Sequence, residues 1–362
     1  MKNHDMHACL RLLGQAVMEK DTVRLFHTGQ GVETWMNGSW LRAEFESADT
    51  GFEEWIRMLM DGYEMIRMPL ESGRVRVTLI RNLTPGTWHH IRIMKEVQAM
   101  EGSPEGLKLL SLESDGDLEV RTPRKPEILF LGDSLTSGEG LGGARGLVDW
   151  KSCTFSTRGH YAYAAAEKLG MEPVLQSQCG WGACRSWDNH PDQHARRLLD
   201  GMHRLYARDV TAEPEKLEPR AVVINLGTND NSAFGGNPYT DPEGRVYRLR
   251  RDAQGRRVRE DEEVFLKSMQ ELLDDLEARY PGVPLVWAYG MCGHDLKDLI
   301  QEGLDRHADA GGPKIPLLLL PACPEEEEGS NHHPGAQCHR KAGLVIAAYL
   351  KTLPGMGRDK ME

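Results

Sequence analysis

The stretch Glu127-Ile128-Leu129-Phe130-Leu131-Gly132-Asp133-Ser134-Leu135 decides how this chain is read. A short apolar run bounded by a glycine turn is the signature of a strand buried on both faces. Similar runs recur at 174–176, 221–226, 285–289 and 315–320, with helical patterns between them, as at 161–169 and 262–280. Apolar runs alternating with helices predict an α/β fold: a parallel sheet with helices on both faces, in three layers. In such sheets functional groups gather at the carboxyl ends of the strands. Three polar clusters stand just there: Gly132-Asp133-Ser134-Leu135, Gly227-Thr228-Asn229-Asp230 and, beyond the last run, Asn331-His332-His333-Pro334. Ser134, Asn229 and His333 would supply a nucleophile, an amide donor for an oxyanion and a general base.

Ahead of this region the pattern differs. Residues 7–19 have the spacing of a short amphipathic helix, and then strand signals take over. Residues 74–79 and 88–93 alternate with period two, as half-buried antiparallel strands do. Asp61-Gly62 is a two-residue hairpin signal, and Asn37-Gly38, Ser72-Gly73 and Pro85-Gly86 add further turns. The expectation is an all-β sandwich or jelly roll over 1–120, a linker over 121–126 and the α/β domain over 127–362.

The length of 362 residues fits two domains, and 27% charged with 40% hydrophobic residues is globular composition. A formal net charge of -11 speaks against nucleic acid or an anionic membrane as a general partner. No apolar run is long enough to span a bilayer. The opening Met1-Lys2-Asn3-His4-Asp5, with Arg11 breaking the next apolar stretch, does not read as a secretory signal. Seven cysteines, an odd number without a Cys-x-x-Cys pair, do not read as a disulfide framework. A reducing, cytoplasmic setting is therefore expected.

Gly-Asp-Ser-Leu at 132–135, Gly-x-Asn-Asp at 227–230 and His333-Pro334 near the end resemble the SGNH, or GDSL-type, hydrolases. The resemblance covers roughly 126–352 and implies ester hydrolysis through an acyl-enzyme, without a cofactor or metal. It implies Ser134 as nucleophile and His333 as base. It also implies three oxyanion donors: the Ser134 N–H, the Gly180 N–H in Gln178-Cys179-Gly180-Trp181-Gly182, and the Asn229 amide. Gly182 is the fallback for Gly180, and Cys179 stands where the family usually has serine. The sequence departs from the family at the triad acid. Positions three and two before His333 are Ser330 and Asn331, neither of which can carry negative charge. A backbone carbonyl or the Asn331 side chain must then orient His333, and Glu328 is a weaker alternative. The expectation is a Ser134–His333 dyad. A β module fused ahead of such a domain further resembles carbohydrate esterase family two, whose members remove acetyl groups from xylan, mannan or related sugars.

Other features invite competing readings. Gly138-Glu139-Gly140-Leu141-Gly142-Gly143 matches G-x-G-x-x-G but begins seven residues past Leu131 and lacks the acidic partner of a dinucleotide site. Asp188-Asn189-His190-Pro191 imitates an acid–His–Pro signature, but it precedes Asn229, whereas the family histidine lies near the end. His332, His333, Cys338 and His339 have the residue types of a zinc site without recognised spacing. Seven arginines between Arg245 and Arg259 mark a hairpin: a solvated arm, a lid, or a contact between copies of the chain. Trp150, Trp181 and Trp187 lie on loops, and Trp181 and Trp150 are expected substrate contacts.

The leading functional reading is a carbohydrate O-acetylesterase acting on acetylated oligosaccharides derived from xylan or mannan. The alternatives are a lysophospholipase or thioesterase on the same fold, and a carbohydrate-binding protein that has lost its hydrolase activity. The absence of Gly-x-Ser-x-Gly from the sequence counts against an ordinary α/β-hydrolase lipase.

Overall fold

Alternation of apolar and polar residues builds the first part of the chain. Along Leu41–Ser47, Leu41, Ala43 and Phe45 point inward while Arg42, Glu44 and Glu46 are only half-buried. The computed structural model describes residues 2–49, 51–99, 106–201 and 210–356. These residues divide into two compact units: those within 2–125, with 150–157, 201 and 210–217, and those within 126–149, 158–200 and 218–356.

The first unit is two antiparallel sheets around one core. One sheet runs in the order Val17–Glu19, Thr22–Leu25, Leu107–Ser114, Leu41–Ser47, Gly73–Ile80. The other runs Leu118–Glu119, Gly31–Met36, His89–Lys95, Glu54–Met60, Tyr63–Leu70. Val23, Phe45, Ile56 and Ile91 are among the buried residues of the common core. Asp61 and Gly62 both adopt positive φ, at 53° and 85°, which is the primed turn expected of that pair. The helix expected over 7–19 is not formed. Only Met6–Cys9 is helical, and Arg11–Leu13 and Val17–Glu19 are strands. Gly14 and Gln15 between them take φ of 64° and 68°, a left-handed corner that no α-helix accommodates. Residues 150–157 join this unit through polar anchors. Arg67 donates to the carbonyls of Cys153 and Phe155 at 2.8 and 2.7 Å, and the buried Glu96 accepts the Thr157 N–H at 3.2 Å.

The second unit is an α/β domain. The five strands of its central sheet are all parallel, in the order Glu172–Ser177, Glu127–Gly132, Ala221–Asn225, Leu285–Tyr289, Leu317–Leu319. Ile128, Phe130, Val223 and Val286 share a core with Tyr161–Leu169 and Ala336–Leu350, the helices of one face. Leu129, Leu131, Val222 and Ile224 alternate to the opposite face and are equally buried. Arg259–Arg279 buries Phe265, Met269, Leu272 and Leu276, and packs against Lys297–Asp309. The strand order reverses beside Glu127–Gly132, because the chain passes first to one neighbour and then to the other. A crevice forms at the carboxyl end of such a switch point. In this domain, that end is where Ser134 lies.

The arginine-rich stretch forms two small ribbons before Arg259–Arg279: Tyr239–Thr240 paired with Val246–Tyr247, and a bridge between Arg251 and Arg257. Most of its charges are met locally, Arg245 by Asp241, Arg250 by Asp261, Arg256 by Asp252 and Arg257 by Glu262.

Candidate active site

Ser134 opens the one-turn helix Ser134–Ser137 at the end of the first parallel strand. Asp133 caps this helix, its side chain accepting the Leu135 N–H at 3.0 Å. Gly138 closes it in the left-handed conformation, φ 79°. Behind it the buried His160 lies 3.1 Å from the carbonyls of Leu135 and Thr136. Burial pushes the His160 imidazole down to about 4, so it serves as a neutral brace. The serine is thus fixed by its cap, its closing glycine and a side chain from the neighbouring helix.

His333 arrives from the opposite end of the chain, on the loop between Leu317–Leu319 and Ala336–Leu350. Its Nε2 is 2.8 Å from Ser134 Oγ, and its Nδ1 is 2.7 Å from the main-chain carbonyl of Asn331. A carbonyl only accepts, so Nδ1 carries the hydrogen and Nε2 is left to accept from the serine hydroxyl. Asn331 and His332 both take positive φ, 51° and 55°, a turn that aims the Asn331 carbonyl back at the ring. Of the two orienters left open by the sequence, the carbonyl of Asn331 is the one in contact. The Asn331 side chain points elsewhere, its Nδ2 donating to Glu139 Oε1 at 2.8 Å. Glu328 lies 3.7 Å from His332 Nδ1, not against His333.

The loop is secured at several points. Ser330 N–H donates to the Gly140 carbonyl at 3.0 Å and Asn331 N–H to that of Leu147 at 2.7 Å. Cys323 and Cys338 form a disulfide across it, Cα–Cα 5.5 Å. This bridge departs from the all-reduced reading of the cysteines. Cys338 is thereby used, and His339 is buried with Nδ1 accepting the Tyr161 N–H at 3.3 Å. The four residues considered for zinc therefore do not converge.

Strand register brings the other expected groups to the same edge. Gly132 stands level with Ser177 on one side and Asn225 on the other. Ser134, Gly180 and Asn229 follow those three positions. Gly180 takes φ 78°, and its N–H bonds to no other described backbone carbonyl. Asn229 Nδ2 donates one hydrogen to the Trp181 carbonyl at 2.9 Å, which fixes the amide and leaves its second N–H. Asp230, buried beside it, accepts from the N–H groups of Ala183, Cys184 and Arg185 at 2.8, 2.8 and 3.3 Å, shaping the loop after Gly180. Burial lifts its carboxyl to about 6 despite those donors, and lifts that of Asp133 to about 7. Burial, with the charge of Glu139, holds the Cys179 thiol well above its usual range, so it is no thiolate nucleophile.

One of the expected aromatic contacts needs correction. Trp181 is only 5% exposed and cannot offer its ring to a sugar. Trp187, by contrast, is 58% exposed and lies against Gly180: a Cβ there would come within 2.9 Å of Trp187 Cδ1. Trp150 belongs to the first unit, where it packs edge-on against Phe52 and Phe155. The acid–His–Pro look-alike is structural. Asn189, buried at φ 69°, accepts the Leu249 N–H at 2.9 Å, and His190 lies 4.2 Å from the Tyr239 ring centre.

Fold and site together define a class: a parallel α/β domain with a Ser–His pair at its strand ends, the arrangement of serine-dependent hydrolases. The model of the GDSL-like Lipase/Acylhydrolase family matches residues 130–339, and the chain belongs to that family. It is similar to an acetyl xylan esterase, Est2A, from the rumen bacterium Butyrivibrio proteoclasticus, with 29% identity and a TM-score of 0.89 over 97% of this chain and 99% of that one. A family two carbohydrate esterase from Clostridium thermocellum shares the fold at 19% identity, TM-score 0.79, over 95% and 98% of the two chains. In sequence the chain is 25% identical, over 228 residues, to an acetylxylan esterase / glucomannan deacetylase of Cellvibrio japonicus, covering 62% of each protein. The chain spans less than two thirds of the curated relatives it matches, 62% and 35% of their lengths.

Proposed function

We propose that this chain is a carbohydrate O-acetylesterase that cleaves acetyl esters from xylan- or mannan-derived oligosaccharides. The observation that carries the reading is the Ser134–His333–Asn331 relay, 2.8 Å at one nitrogen and 2.7 Å at the other. In this mechanism Ser134 Oγ attacks the acetyl carbonyl while His333 Nε2 takes its proton. The N–H groups of Ser134, Gly180 and Asn229 receive the oxyanion. His333 then protonates the leaving sugar hydroxyl, and water, activated by the same nitrogen, releases acetate from Ser134. The main-chain carbonyl of Asn331 orients the ring in place of a triad carboxylate, so the imidazolium is met by a dipole on that side. The exposed Trp187 beside Gly180 is suited to stacking on a pyranose face.

The proposal extends to the rest of the molecule. Apart from the hairpins Val17–Glu19/Thr22–Leu25 and Glu54–Met60/Tyr63–Leu70, successive strands of the first unit pass from one sheet to the other, which supports a jelly-roll winding. For the 245–259 arm we propose a contact between copies of the chain, tested by sedimentation of a variant with the ribbon shortened. We propose the cytoplasm as the compartment, supported by the five cysteines that stand outside the Cys323–Cys338 bridge. Alkylation in intact cells that finds Cys323 and Cys338 oxidised would place the protein in an oxidising compartment instead.

The test of the activity is acetate release from acetylated xylo- and manno-oligosaccharides, set beside a series of esters with lengthening acyl chains. Turnover highest on the acetylated sugars supports the proposal. Rates that climb with acyl length favour a lysophospholipase or thioesterase, and sugar binding without cleavage favours a carbohydrate-binding role.

A further inference from the structure

The glycine-rich turn after Ser134 lies against the base. Gly140 is so close to the His333 loop that a Cβ on it would fall 2.5 Å from both His333 Cβ and the Ser330 carbonyl oxygen. Between Gly138 and Gly140, Glu139 is driven inward, and it is only 4% exposed. One carboxylate oxygen accepts from Asn331 Nδ2 at 2.8 Å, and the other lies 3.6 Å from His333 Nε2. A buried carboxylate with one oxygen aimed at the face of a histidine where charge appears is an expensive arrangement unless that charge is useful.

We propose that Glu139 is a positioning residue of this site: it clamps the Asn331 peptide that orients His333, and it sets a negative charge beside the imidazolium formed during the reaction. This rests on Ser134 and His333 being the catalytic pair. In the resting state the ring is neutral and the Nε2 lone pair is taken by the Ser134 hydroxyl at 2.8 Å, so Glu139 gains little from it. Once the Ser134 proton has moved to Nε2, the same oxygen faces a cation at 3.6 Å. The interaction is therefore stronger in the charged intermediate than in the ground state, which is the condition for accelerating the step. The carboxylate missing from the Nδ1 side is replaced by one on the Nε2 side, carried by a different segment of chain.

Other titratable groups near the pair are Asp133 and Cys179 from the strand ends, Cys292 beyond the fourth strand, His332 with Glu328 on the same loop, and His339 on the following helix. Each is present in every variant used below, so a change between variants reports on Glu139 or Asn331.

The experiment compares wild type with Glu139→Gln, Glu139→Asp, Asn331→Ala and Ser134→Ala on 4-nitrophenyl acetate across pH, alongside thermal unfolding. Gln keeps the shape and can still accept from Asn331, but it removes the charge. Its kcat should fall about tenfold with KM little changed, and the acid limb of kcat/KM should move to lower pH, because the anion that favours the charged ring is gone. Glu139→Asp should restore the limb, and Asn331→Ala should lower kcat without moving it. Wild-type kcat and limb in a folded Glu139→Gln would overturn the proposal, as would a loss of kcat with the limb unmoved. Should Glu139→Gln not fold, Asn331→Ala at the wild-type rate would overturn it. Activity surviving in Ser134→Ala would instead sink the catalytic reading on which the inference stands.

Discussion

Ser134, His333 and Asn229 are separated by roughly a hundred residues each, yet each follows the end of a parallel strand, so one crevice collects them. At this scale two substitutions discriminate roles. Asn229→Ala should reduce kcat by about 10²–10³-fold, the usual cost of losing one oxyanion donor, with the fold retained. Asn331→Asp, which would mend a damaged triad if the side chain oriented His333, should instead lower activity. The Asn331 side chain faces Glu139 at 2.8 Å, and two carboxylates there would repel. Asp133 offers a stability test with a definite sign. Burial raises its carboxyl from 3.8 to about 7, so between those values the folded chain binds more protons than the unfolded one. Stability on this account declines as pH rises through that window. Asp133→Asn keeps a capping oxygen, and its thermal midpoint should be flatter across the window and higher above it.

At the scale of elements, the site depends on a turn and a loop that meet. Gly140→Ala should cost most of the activity while leaving the strands intact by circular dichroism, because its Cβ would displace the Ser330–His333 turn. The Cys323–Cys338 bridge closes that loop over a separation of 15 residues, and its removal by Cys323→Ser with Cys338→Ser should lower stability by about 3 kcal/mol on the loop-entropy account. These elements also mark where the sequence was readable. The parallel strands were legible because apolar runs such as Ile128–Leu131 have few other uses, and their polar ends exposed Ser134, Asn229 and His333. The helix expected over 7–19 was not legible as strands, since apolar spacing alone did not reveal the left-handed corner at Gly14 and Gln15. Glu139 escaped notice because its meaning is set by a loop 192 residues later in the chain. Trp181 and Trp187 look alike in sequence, and only the turn at Gly180 decides which ring is buried.

For the whole molecule, the net charge of -11 and the arginine-rich arm fit together once the partners are visible. Four of the arm's seven guanidinium groups, those of Arg245, Arg256, Arg250 and Arg257, are held by Asp241, Asp252, Asp261 and Glu262, so most of its charge is not offered as a basic surface for nucleic acid. What the chain does turns on the second unit, where family membership and the Ser–His geometry agree. The central claim is that Ser134, activated by His333, carries the acetyl group. The most direct measurement is the rate of acetate release from an acetylated xylo-oligosaccharide by wild type, Ser134→Ala and His333→Ala, each shown to be folded. The account predicts a loss on the order of 10⁴-fold or more in both variants. Wild-type rates in either variant would contradict it.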